Sequence, residues 1–151
     1  KFIISTLEKL YKKYQKPIIW PIHPRTLKNI KKYKIKLKGL IKIIKPKDFF
    51  NFIKLEMNSL CVLTDSGTVQ EECSIFKIPN VILREKTERP ETIESGSSII
   101  SINNSEAILN AIDFSIKNSI NARDVDGYID LNVSNKILNI ILSNYEFDKN
   151  R

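Results

Sequence analysis

The sequence predicts an α/β fold in which helices cover both faces of a mostly parallel, doubly wound sheet. Short runs rich in Ile, Val and Leu alternate with longer segments of helical periodicity, and the turns between them are short. Strands that are separated by helices pair in parallel, since a parallel connection needs a crossover. The 151 residues, 42% of them hydrophobic, suffice for one domain with a sizeable core.

Apolar spacing and the positions of Pro and Gly predict five strands and seven helices. The strands are expected at 18–22, 40–44, 61–63, 80–84 and 98–102. The helices are expected at 2–14, 24–36 with Gly39 as the stop, 49–57 after an Asp48 cap, 69–76, 90–95 before Gly96, 105–117 and 132–145. The last helix carries an apolar stripe of Val133, Ile137, Ile140 and Ile141.

Charge is distributed unevenly along the chain. Residues 1–54 hold 16 of the 25 Lys and Arg residues but only two acidic residues, Glu8 and Asp48. A basic segment can bind nucleic acid, but these lysines surround their segment without interleaved aromatic side chains, so we favour a solvated surface. No run is long enough for a membrane span, and no signal peptide opens the chain.

The two cysteines do not form a CxxC motif. Cys61 lies on a predicted strand and Cys73 on the apolar face of the next helix. Metal or redox chemistry is therefore not expected, and buried free thiols fit a reducing cytoplasm.

A strand–turn–helix unit around Ser66, Gly67 and Thr68 is the first candidate site. The backbone N–H groups at the start of the helix and the two hydroxyls can bind a phosphate, and Gly67 allows close approach. The alternative is an ordinary helix cap, in which Thr68 and Glu71 form a capping box.

Glu72 and Arg89 extend this candidate site. Glu72 lies one turn beyond Thr68 on the same helix face, where its carboxylate can accept both hydroxyls of a ribose. Arg89 lies on a loop after the next strand and can bind a diphosphate bidentately; the alternative is a surface salt bridge to Glu88 or Glu91.

Two further residues are candidates because of their positions. His23 is the sole histidine and follows a strand between prolines, although no catalytic partner is visible. Phe52 or Phe49 could stack on a nucleobase, with a place in the core as the alternative. The carboxyl ends of parallel strands share one edge of a sheet, so these turns should converge on one crevice.

The segments TDSGTVQEE and TERPETIESG, with PIHPRT and KPKDFFNFIKLEMNS upstream, resemble the non-hydrolysing UDP-N-acetylglucosamine 2-epimerases over nearly the whole chain. The closing helix is more similar to the capsule and O-antigen branch of that family. The resemblance implies the Rossmann-like second domain of a GT-B-type enzyme. Ser66, Gly67 and Thr68 would then bind the UDP diphosphate, Glu72 the ribose and Arg89 the nucleotide sugar. Phe52 and Lys47 would contact the uridine, and His23 would face the cleft between the domains.

The resemblance also implies what this chain does not carry. The catalytic residues of the family belong to an N-terminal domain, so residues 1–151 are expected to be the C-terminal, UDP-binding part, inactive alone. The full-length protein is expected to be a cytoplasmic homodimer that inverts C2 of a UDP-2-acetamido sugar without a metal or other cofactor, membrane or nucleic acid. The donor domain of a GT-B glycosyltransferase is the alternative.

Overall fold

The structure is a computed structural model that describes residues 2–37, 39, 41–102, 104–118 and 121–145. Helices and strands alternate in these residues in the predicted order. The strands are β1 (Ile18–Pro21), β2 (Ile41–Ile44), β3 (Val62–Thr64), β4 (Asn80–Ile82) and β5 (Ile99–Ile100). The helices are α1 (Phe2–Tyr14), α2 (Pro24–Lys32), α3 (Phe49–Met57), α4 (Gly67–Ile75), α5 (Pro90–Glu94), α6 (Ser105–Asn118) and α7 (Val133–Tyr145).

All strand pairs in these residues are parallel, which confirms the predicted α/β class. The strands form two ladders, β1–β2 and β3–β4–β5, and no ladder joins β1 to β3 within the described ranges. The N–H of Ile22 points to β2, where it donates to Ile44 at 3.1 Å. Because backbone N–H groups alternate in direction along a strand, the backbone nitrogens of Ile19 and Pro21 point away from β2. The nitrogen of Pro21 carries no hydrogen to donate. The described residues thus form two separate parallel ladders, where we predicted one sheet.

Helices cover both faces of the three-stranded ladder, as in a doubly wound fold. On one face, Leu7 and Leu10 of α1 and Ile108 of α6 form a core with Val81, and Leu63 of β3 packs against it. On the other face, a second core is built from α4, Ile78, Phe52 and Val62. Val62 and Leu63, which are neighbours in β3, thus pack into opposite cores, as the two-residue repeat of a strand requires.

The end of α2 differs from the prediction. The helix ends at Lys32 instead of near residue 36, and Gly39 is not its stop. Lys34 adopts a φ of 49° and the N–H of Ile35 donates to the carbonyl of Ile30, which closes the helix as a Schellman-type cap. Leu40, predicted as the start of β2, lies outside the described residues.

Two strands are shorter than predicted, while α5 ends as expected. The strands β4 and β5 end at Ile82 and Ile100. Gly96 has a φ of 81° directly beyond α5, which confirms it as the stop of that helix. The apolar stripe of α7 is exposed, with Ile137 and Ile141 above 50% exposure. No helix in the described ranges has the length and apolar character to cross a membrane.

Candidate functional site

The turn between β3 and α4 presents unpaired backbone donors. Ser66 is the N-cap residue of α4, but its side chain makes no capping hydrogen bond. Its Oγ instead lies 3.2 Å from Oγ1 of Thr68. The first helical bond joins the N–H of Gln70 to the carbonyl of Ser66, so the N–H groups of Gly67, Thr68 and Val69 have no helical partner. No acidic residue occupies the first turn, which leaves the positive end of the helix dipole available to an anion.

Arg89 lies directly beside this turn. A β-carbon added to Gly67 would be 3.8 Å from Cζ and Nη2 of Arg89, which is an ordinary contact distance. Nε of Arg89 donates to Glu71 and Nη1 donates to the carbonyl of Glu88. The structure therefore brings together Arg89 and the Ser66–Thr68 turn, which lie more than twenty residues apart in the chain.

The partners of Arg89 and Glu71 correct two interpretations. Glu71 does not complete a capping box with Thr68, because its carboxylate is in a half-buried ion pair with Arg89. The side chains of Glu88 and Glu91 have other partners, Arg84 and the hydroxyl of Tyr128. The Glu71 carboxylate raises the pKa of Arg89, and the Tyr128 hydrogen bond lowers the pKa of Glu91.

Gln70 fixes the Arg89 loop to α4, a role that the sequence interpretation missed. It is only 1% exposed, and its Nε2 donates to Thr92 and to the carbonyl of Arg89. Its Oε1 accepts from the hydroxyl of Thr87 at 2.7 Å. Gln70 lies three residues before the buried Cys73, so helical spacing already placed its amide on the inward face.

Glu72 is half-buried on α4, whereas Glu56 on α3 is buried and neither of its carboxyl oxygens has a hydrogen-bond partner among the described residues. Burial raises the pKa of Glu72. Burial first, and the charge of Glu72 second, raise the pKa of Glu56 to about 7. Glu56 was also missed, although it follows Phe52 by four residues and so shares its helix face.

Phe52 and Lys47 lie on and before α3. Phe52 is half-buried and packs against the core of Val69, Cys73 and Ile78, so the core alternative describes its contacts. Lys47 is exposed on the loop after β2. It lines an open cavity of about 530 Å³ together with Ile19, Ile44, Asn51, Lys54, Leu55 and Asn58.

His23 is the N-cap of α2. It is exposed, and its Nδ1 accepts a hydrogen bond from the N–H of Arg25 at 3.2 Å. In the part of the chain that the structure describes, no hydrogen bond or ion pair joins His23 or Lys47 to the Ser66–Arg89 group. His23 nevertheless follows the carboxyl end of β1, as predicted, and Lys47 follows the carboxyl end of β2.

Comparison with known proteins assigns the family. The family model described as UDP-N-acetylglucosamine 2-epimerase matches residues 1–142. The chain belongs to the UDP-N-acetylglucosamine 2-epimerase family. It is 41% identical over 121 residues to the UDP-N-acetylglucosamine 2-epimerase of Methanococcus maripaludis, which covers 78% of this chain and 33% of the relative. It is 40% identical over 131 residues to that of Methanocaldococcus jannaschii, covering 84% of this chain and 36% of the relative.

Solved structures of the family have the same fold. The crystal structure of the Methanocaldococcus jannaschii UDP-GlcNAc 2-epimerase in complex with UDP-GlcNAc and UDP superposes with a TM-score of 0.83 at 36% identity. The match covers 93% of this chain and 40% of that one. The chain is thus a Rossmann-like α/β unit that spans 33% to 40% of the length of these family members.

Proposed function

We propose that this chain is the UDP-binding part of an epimerase that inverts C2 of a UDP-2-acetamido sugar, such as UDP-N-acetylglucosamine to UDP-N-acetylmannosamine. The observation that carries the proposal is the guanidinium of Arg89 beside Gly67 at the N-terminus of α4, in a chain of this family. An arginine fork and unpaired N–H groups at one point suit a diphosphate. The relative solved with UDP-GlcNAc and UDP supports this choice of ligand.

Each predicted site residue has a role in this proposal. Ser66, Gly67 and Thr68 bind the diphosphate through backbone N–H groups and hydroxyls, and Arg89 binds its oxygens. Glu72 accepts the ribose hydroxyls. Phe52 and Lys47 contact the uridine, and His23 faces the cleft that holds the sugar. Because Phe52 packs against the core, only the edge of its ring contacts the uridine. Because His23 caps α2, only a ring nitrogen of its side chain faces the cleft.

The proposed reaction separates into two steps that share one bound UDP. A base removes the C2 proton while the C1–O bond to UDP breaks, which yields a 2-acetamido glycal and UDP. UDP then adds back to C1 as a proton is delivered to the opposite face of C2. Binding of the diphosphate by the protein keeps the leaving group in place and stabilises its charge between the steps.

We further propose that residues 1–151 are the C-terminal domain of the enzyme and that the acid and base residues belong to an N-terminal domain. On this proposal the chain alone binds UDP without turnover, and the full-length protein is a homodimer. The free thiols of Cys61 and Cys73 fit a cytoplasmic enzyme.

Isotope exchange on the full-length protein tests the reaction. Incubation with UDP-N-acetylglucosamine in deuterium oxide should place deuterium at C2, detected by NMR or mass spectrometry, and should yield the C2 epimer. A protein that binds UDP but exchanges no C2 proton contradicts epimerisation and favours a glycosyltransferase. Salt-sensitive RNA binding without UDP affinity would sink the nucleotide-sugar proposal altogether.

A further inference from the structure

The segment 122–128 lies between α6 and α7 and is bound to the ends of α4 and α5. Lys77, just beyond α4, donates from Nζ to the carbonyl of Ala122 at 2.9 Å. The N–H of Arg123 donates to the carbonyl of Ser95, just beyond α5, at 3.0 Å. These bonds hold the segment along α5, the short helix that begins beside the proposed nucleotide site.

Tyr128 binds the other end of α5. Its hydroxyl donates to Oε1 of Glu91 in the first turn of that helix at 2.6 Å, and both side chains are half-buried. The N–H of Tyr128 donates to the carbonyl of the buried Val125 at 3.2 Å, which fixes the backbone of the tyrosine as well. Burial raises the pKa of Tyr128, and the hydrogen bond lowers the pKa of Glu91. The tyrosine therefore remains a donor and the glutamate remains charged near neutral pH.

Glu91 is an acid that can compete with a nucleotide for Arg89. Nε of Arg89 is bound to Glu71, while Nη2 lies beside Gly67. Glu91 follows Arg89 by two positions, and two residues span at most about 7 Å of backbone, so its carboxylate can reach the guanidinium. No ion pair joins Glu91 to Arg89 among the described residues; the carboxylate is bound to Tyr128 instead.

We propose that Tyr128 is a positioning residue of the nucleotide site, whose hydroxyl holds the Glu91 carboxylate away from Arg89 and so keeps Nη2 of Arg89 available to the diphosphate. This inference rests on the proposed function, in which Arg89 binds the diphosphate. Neither Tyr128 nor Glu91 contacts the nucleotide. A released Glu91 weakens binding in two ways, because it pairs with the guanidinium and because it adds a negative charge near the phosphates.

The test is a double-mutant cycle at Tyr128 and Glu91, measured by titration calorimetry of the full-length protein with UDP-N-acetylglucosamine. Tyr128→Phe removes only the hydroxyl and should weaken the affinity about three- to tenfold, the effect of one competing ion pair. Glu91→Gln removes the charge and should bind at least as tightly as the wild type. The double variant should bind within about twofold of Glu91→Gln, because no carboxylate remains to compete.

Tyr14→Phe is the matched control for the loss of a hydroxyl. The Tyr14 hydroxyl donates to Asp113 at 2.5 Å, and both side chains are half-buried, but this pair joins α1 to α6. The control should lose stability in urea unfolding about as Tyr128→Phe does and keep the wild-type affinity. Rescue by Glu91→Gln should restore the affinity of Tyr128→Phe without restoring its stability, since the hydrogen bond to the tyrosine stays absent.

Each failure has a distinct meaning. Wild-type affinity in Tyr128→Phe, or a weakened affinity that Glu91→Gln does not rescue, overturns the role of Tyr128. If Tyr128→Phe does not fold, Glu91→Asp decides, because its shorter carboxylate is released from the intact tyrosine; binding as tight as that of Glu91→Gln overturns the inference. Unchanged affinity in Arg89→Ala instead overturns the diphosphate contact and with it the proposed nucleotide site. Loss of affinity in Arg89→Ala with wild-type affinity in Tyr128→Phe leaves the site standing and removes only the present inference.

Discussion

Arg89 lies against Gly67, with its Cζ and Nη2 both 3.8 Å from the position that a β-carbon on the glycine would occupy. Two hydrogen bonds fix this approach, because Nε is bound to Glu71 and Nη1 to the carbonyl of Glu88. The remaining nitrogen, Nη2, is directed toward the start of α4. The guanidinium of Arg89 and the positive end of the α4 dipole are thereby combined at one point of the surface.

Replacing Arg89 by Ala should weaken binding of UDP-N-acetylglucosamine by the full-length protein by about ten- to a hundredfold, the effect of one charge-assisted fork. Arg84→Ala is the matched control, since Arg84 is paired with Glu88 on the same loop and is equally exposed. The control should leave the affinity within about twofold. Calorimetry measures both, and equal effects of the two variants would contradict the assignment.

Gly67→Ala should reduce nucleotide affinity without reducing stability. The added methyl meets only Arg89 at contact distance, so the fold accepts it, but it occupies the space through which a phosphate approaches the N–H groups. We expect a loss of at least about tenfold in affinity and an unchanged melting temperature.

Gly96→Ala is the converse control for that experiment. Gly96 has a φ of 81° and no neighbour within 4 Å, so Ala there is strained but touches nothing. It should cost about 1–2 kcal/mol in the free energy of unfolding and leave the intrinsic affinity intact. A joint loss of stability and affinity in both variants would contradict separate roles for Gly67 and Gly96.

Gln70→Ala should lower both the stability and the affinity. It removes the acceptor of the Thr87 hydroxyl and the amide that donates to Thr92 and to the carbonyl of Arg89, which should cost about 1–3 kcal/mol in urea unfolding. The loop that carries Arg89 also loses its tie to α4. Asn118→Ala removes an amide that donates to the Phe114 carbonyl near the end of α6, and should cost under about 1 kcal/mol.

The free energy of unfolding should fall as the pH rises from about 4.5 to about 7. Glu56 is neutral in the folded chain up to about 7 but ionises near 4.5 once unfolded, so the folded state holds the extra proton between these values. The loss should be on the order of 2–3 kcal/mol and level off above about pH 7.

Glu56→Leu should remove this part of the pH dependence, because the apolar side chain fills the same buried position without a charge. The free energy of unfolding of the variant, measured with urea, should therefore increase relative to that of the wild type as the pH rises. Parallel stability curves for the two proteins would contradict the raised pKa of Glu56.

The sequence predicts the elements well because they depend on local spacing. The Ser66–Thr68 turn and the Arg89 loop were also predictable as neighbours, since both follow parallel strands on one edge. The partners of the charged groups were not. Glu71 could have capped α4 on spacing alone, but the tertiary approach of Arg89 draws its carboxylate away. The division of the strands into two ladders was not predictable either, since strand pairing is a tertiary property that local spacing does not set.

The hydrogen bonds that hold the Arg89 loop join residues only 17 to 22 positions apart. By contrast, Thr6 of α1 and Ser105 of α6 meet across 99 positions. Short loops close at lower entropic cost and so close sooner. The Ser66–Thr68 turn and the Arg89 loop should therefore come together early during folding, before α1 docks, and should stay together when α1 detaches. In hydrogen-exchange experiments, amides around Gln70 should become protected before those at the α1–α6 contact. Loss of α1 would expose α6 but leave the Arg89 loop bound to α4.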